Sequence, residues 1–133
     1  MIIAGQKVKQ GHVYFLLILL FIAALSIMKS LEIRTTDILI VECYVGGDKH
    51  LHFYLAFILG FTSMVSSYRK IWGLFTIRFI SLIWVFGTDE LIQCFFQSRK
   101  PSLMDFLVDC FGMVCSFILY QILFQLSERR KNN

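Results

Sequence analysis

Four apolar runs follow one another along the chain, each flanked by charged or aromatic residues. The first, "VYFLLILLFIAALSIM" (13–28), comes after Lys7, Lys9 and His12, and the second covers about 50–67 behind the polar stretch "DKH". A third, "IWGLFTIRFISLIWVFG", covers 71–87, and a fourth, "LMDFLVDCFGMVCSFILYQILFQL", covers 103–126. A helix crosses a bilayer with roughly 20 mainly apolar residues, about 17 at the short end. The pattern therefore predicts an all-α, polytopic membrane protein, a four-transmembrane-helix bundle forming a single domain over 1–133. Tyr68, Arg69 and Lys70 leave only a short turn between the second and third runs, which makes those helices antiparallel neighbours. A basic start before an apolar run also describes a signal peptide, but "ALS" at 24–26 is a poor cleavage site, so the first run is expected to remain as a helix.

Composition strengthens this reading. Hydrophobic residues make up 57% of the chain and charged ones 17%, against about 45–50% and about 25% in ordinary soluble domains. The formal net charge of +4 is scattered in short clusters beside apolar runs, which argues against nucleic acid as a partner. Four cysteines without CxxC or zinc-like spacing read as small apolar residues, and no cofactor is expected.

Orientation follows from the basic residues. With both termini cytoplasmic, Lys7, Lys9, Arg69, Lys70, Arg129, Arg130 and Lys131 lie inside, while Lys29, Arg34, Lys49, Arg99 and Lys100 lie outside. That bias has the sign of the positive-inside rule. Arg78 falls within the third run; it can reach toward Asp109 or snorkel to the inner surface, and both readings stay open. Eight of the nine acids, all but Glu128, fall on or near the outer side, more than loop solubility requires.

Those acids converge. "DKHLH" (48–52) opens the second run at its outer end, and 87–112 links the outer ends of the third and fourth. On a helix, Asp48 and His52 share a face, as do Asp89 and Gln93, and Glu90 and Gln93. Asp105, Asp109, Gly112 and Ser116 step by four, three and four and stay within one narrow stripe. Acids above and small residues below describe a face that meets protein. A carboxylate in hydrocarbon costs roughly 2.5–3.5 kcal/mol on insertion scales, so Asp105 and Asp109 need partners; Lys49, His52, Gln93 and Arg99 are the donors at that end. The planar fork of Arg99 suits carboxylate or phosphate. The expected binding residues are thus Asp48, Lys49, His52, Asp89, Glu90, Gln93, Arg99, Asp105 and Asp109, with His52 and Glu90 as candidate general bases. A metal held by His52 with Glu90 and Asp105 is the lesser reading, because histidines at helix ends more often hydrogen-bond than ligate. No metal is expected.

"DKHLHF" with Gly60, then "DELIQCFFQSR", then "SLMDFLVDCFG", in that order, resembles the VanZ-like membrane proteins. The resemblance covers about 48–116 and carries over Asp48, Lys49, His52, Phe53, Asp89, Glu90, Gln93, Arg99, Asp105 and Gly112. Asp109 stands where that family usually has Asn, and Ser116 where a second glycine is common. The resemblance implies a multi-pass protein of the bacterial cytoplasmic (inner) membrane and cell envelope, in a family linked to resistance to the glycopeptide teicoplanin. It implies no particular reaction.

Three functions fit these residues. The outer pocket can hold the head group of a lipid-linked cell-wall or polysaccharide precursor among membrane lipids. It can hydrolyse or transfer on such a polyprenyl-linked lipid, although no Ser or Cys nucleophile stands in a recognisable frame. Or the acidic stripe can serve a structural or proton-coupled transport subunit.

Overall fold

The computed structural model describes residues 2–66, 70–71, 75–96, 99 and 102–132. Among these it is built on five helices: α1 (Ile2–Ser30), α2 (Thr35–Val45), α3 (Asp48–Ser66), α4 (Ile77–Gln93) and α5 (Leu103–Asn132). A two-residue antiparallel ladder, β1 (Lys70–Ile71) with β2 (Phe75–Thr76), joins α3 to α4, Lys70 opposite Thr76. Tyr68, Arg69 and Trp72 lie outside the described residues, as does the side chain of Arg78.

Two differences from the sequence pattern matter. The third helix starts at Ile77 rather than 71 and continues to Gln93, because Lys70–Ile71 and Phe75–Thr76 are spent on the ladder. The shift carries Asp89, Glu90 and Gln93 on the last turns of α4. The second difference is α2, unexpected in what looked like an outer loop. Its apolar "ILIVE" stretch follows Thr35, Thr36 and Asp37 and is stopped by Gly46, whose φ of 105° suits glycine and lets the Gly46 and Gly47 N–H groups donate to the carbonyls of Cys43 and Glu42.

The four long helices alternate in direction. Gly11 of α1 sits against Ser66 while Lys29 reaches Asp48, so α1 and α3 are antiparallel. Lys49 pairs with Asp105 and Gly60 abuts Ser116, so α3 and α5 run parallel. Phe79 meets Phe117 and Gly87 faces Phe106, so α4 opposes α5. The core between them includes Phe15, Leu59, Phe79, Leu82, Phe86 and Met113.

Burial is inverted relative to a water-soluble domain. Leu17, Leu20 and Phe21 on α1 are 58%, 65% and 58% exposed, whereas Glu42, Glu90, Asp105 and Asp109 are 7%, 8%, 9% and 3% exposed. Apolar surface this extensive seeks lipid or another protein. Gly11–Ser30 and Leu103–Arg130 are each long and apolar enough to cross a membrane. Together these features support a membrane location.

Candidate functional site

The ends of α1 and α4, the starts of α3 and α5, and α2 bring their polar groups to one end of the bundle. The α3–α5 pair supplies the first wall. Asp48, Lys49 and His52 occupy the first turns of α3, and Asp105 and Asp109 the first turns of α5. Because the helices are parallel and start at the same level, equivalent turns meet: Lys49 Nζ donates to Asp105 at 3.0 Å, and His52 Nδ1 lies 3.2 and 3.3 Å from the Asp109 carboxylate oxygens. An ionised carboxylate only accepts, so this contact places a proton on Nδ1 and turns Nε2 toward Asp48, 3.8 Å away. Ser102 caps α5: its Oγ accepts from the Asp105 N–H at 3.3 Å.

The end of α4 makes the second wall. Gln93, almost wholly buried, donates through Nε2 to Asp89 at 3.0 Å and to Glu90 at 3.5 Å. Glu90 also accepts from the Ser102 backbone N–H at 3.0 Å, which ties α4 to the start of α5. The spacing Asp89–Glu90–Gln93 therefore works as the helical pattern implied.

The third wall was not foreseen. Ser26 of α1 donates to Asp89 at 2.8 Å and accepts from Arg99 Nη1 at 3.3 Å. Three residues on, Lys29 donates to Glu42 at 2.5 Å and to Asp48 at 2.7 Å, so one ammonium gathers α1, α2 and α3. Burial alone pushes the Asp48 carboxyl up, but the hydrogen bond and charge of Lys29, helped by His52, outweigh it and hold the group below its ordinary value. Asp48 precedes the expected span at 50–67. Ser26 and Lys29 stand three apart at the end of the first apolar run, a spacing that could have marked them as one polar face. Glu42, the lone acid after "ILIV", gave a similar signal.

All nine binding residues expected from sequence thus lie in this one network, but their partners differ from the expectation in one respect. Among the described residues Arg99 clamps no carboxylate; it faces Ser26. Lys49 remains over half exposed beside Asp105. The network borders a partly open cleft of about 130 Å³. Its apolar wall includes Leu19, Ile22, Leu55, Leu59, Val85 and Phe86, and its polar end includes Ser26, Lys29, His52, Asp89, Arg99 and Asp109. No family model, curated protein or solved structure matches the chain.

Chemically, the arrangement can do two things. A histidine oriented by a buried carboxylate can exchange protons, and a guanidinium at the polar end of an apolar trough can receive an anionic group.

Proposed function

We propose that the chain is a VanZ-like membrane protein of the bacterial cell envelope, with four spans and both termini cytoplasmic. Its outer-end cleft holds the phosphorylated head group of a lipid-linked cell-wall or polysaccharide precursor. The observation that carries this reading is the shape of the cleft: one continuous trough is apolar along α1, α3 and α4 and charged at the helix ends. An amphiphile with a long chain and a polar head matches both halves, the chain displacing lipid from Leu19, Ile22 and Leu55 while the head meets Arg99 and Ser26. Lys29 is already shared by two carboxylates, so among the described residues Arg99, bonded to Ser26, is the rim cation with charge left for phosphate. A link to teicoplanin resistance belongs to the same proposal, through the precursor lipids.

Native mass spectrometry of the protein in lipid nanodiscs tests this. Polyprenyl phosphate and lipid-linked glycans should bind in preference to phosphatidylglycerol, and Arg99→Ala should weaken that binding at least tenfold. Equal binding of both lipid classes, or of wild type and Arg99→Ala, would reject the site.

The His52–Asp109 contact favours a second reading, in which the same site turns its lipid over with His52 as general base. Loss of turnover with retained binding in His52→Ala would support it.

A further inference from the structure

Beyond lipid binding, the donor set at the polar end of the cleft has the composition of a metal centre. His52 from α3, Glu90 from α4 and Asp109 from α5 each offer one ligand atom, and these atoms all lie within 4.8 Å of one another. We propose that His52, Glu90 and Asp109 bind one divalent first-row transition-metal ion.

Three observations carry this. The first is spacing. Ligands about 2.1 Å from a tetrahedral ion lie roughly 3.4 Å apart, and His52 Nδ1 stands 3.2 Å from Asp109. The metal takes the place of the proton these two groups share: an imidazolium releases it to solvent, and a neutral imidazole carries its proton on Nε2 instead. Glu90 offers an oxygen within 4.8 Å of both, and its partners among the described residues are a 3.5 Å contact from Gln93 and one backbone N–H.

The second is charge. Glu42, Asp48, Asp89, Glu90, Asp105 and Asp109 stand in one network with Lys29, Lys49 and Arg99 as its permanent cations. Among the described residues six carboxylates face three such cations, and four of the six are less than a tenth exposed. Anionic charge held out of water demands a counter-charge. Lys29 and Lys49 already serve Glu42, Asp48 and Asp105. Among the described residues no Lys or Arg hydrogen-bonds Glu90 or Asp109, and a dication at His52 supplies positive charge there.

The third is access and ligand chemistry. Asp109 and His52 line the open cleft, so an ion can enter and still have coordination positions left for solvent or for a phosphate oxygen. An imidazole beside two carboxylates suits Mn²⁺, Fe²⁺ or Zn²⁺, whereas Mg²⁺ and Ca²⁺ take oxygen ligands. The sequence pattern alone paired His52 with Glu90 and Asp105; the fold gives Asp105 to Lys49 and puts Asp109 at His52. The metal site stands apart from the lipid reading, because it is measured without any precursor lipid.

The test uses the full chain in detergent micelles, stripped by chelator and titrated with Mn²⁺ followed by its free EPR signal, with Zn²⁺ as competitor. One ion should bind per chain. Asp109→Asn and Glu90→Gln should each weaken binding at least tenfold, while Asp37→Asn, at an exposed acid paired with Arg34, should bind as wild type does. Pulsed EPR of wild type loaded with Mn²⁺ should show nitrogen coupling from an imidazole, a readout that does not depend on any variant folding. Failure of wild type to bind either ion, equal affinity in all four proteins, or bound Mn²⁺ without nitrogen coupling would overturn the proposal.

Discussion

The seam between α3 and α5 is made in two ways along one pair of helices. At the N-terminal end of both helices, Lys49 meets Asp105 and His52 meets Asp109 across gaps of 3.0 and 3.2 Å. A turn lower the seam becomes close packing. A Cβ on Gly112 would stand 2.6 Å from the Phe53 carbonyl oxygen and 3.2 Å from the Phe57 nitrogen, and one on Gly60 would run into the Ser116 hydroxyl. At Gly112 the lower half is therefore a contact of backbone on backbone with no room to give, and at Gly60 a glycine against a serine side chain, as in small-residue seams of membrane helices. The upper half is wider, polar and lined by groups that can change partners. The rigid half sets the height and rotation of the two helices, and the polar half uses that setting to bring α3 and α5 side chains together. Binding chemistry and fold stability should then separate along the same seam.

Gly112→Ala should show the largest effect. The added methyl meets backbone that cannot move away, so the loss should be about 2 kcal/mol or more even after alanine's better helix propensity contributes about 1 kcal/mol. Equilibrium unfolding in mixed micelles, followed by circular dichroism, measures it. Gly60→Ala should be milder, a net change within about 1 kcal/mol, because the neighbour it strikes first is a rotatable hydroxyl. Adding Ser116→Ala should return most of that loss, and a double-mutant cycle without coupling would show that the two positions do not touch. Lys49→Met should be smallest, below about 0.5 kcal/mol, since the ammonium is over half exposed in its pair with Asp105. A Lys49→Met loss exceeding that of Gly112→Ala would reverse the comparison and make the charged half the anchor.

The stripe Asp105–Asp109–Gly112–Ser116 was readable before any fold was known, because helical periodicity is local and four residues at that spacing can only share a face. All four are buried in the bundle. The polar turn of α4 was readable for the same reason, although its helix begins later than the apolar run did. What could not be read was the company these residues keep. Arg99 stood among the donors expected for Asp105 and Asp109, as a clamp for carboxylate or phosphate, yet it faces Ser26. Lys29 and Glu42 looked like loop charges; they are 13 positions apart and meet at 2.5 Å because α2 folds beside α1.

By itself, then, the sequence determined the all-helical class, the apolar runs and the faces on which the acids gather. Each depends only on residues within a few turns of one another and on the free energy of placing them in hydrocarbon or water. The tertiary structure decided which face meets which. It put α1 and α2 beside α3, made Ser26 and Lys29 a wall of the cleft, and gave His52 to Asp109 rather than Asp105. Those choices turn on how close two helices can approach at Gly60 and Gly112 and on where the excess of buried carboxylates finds counter-charge, and neither quantity belongs to any single stretch of chain.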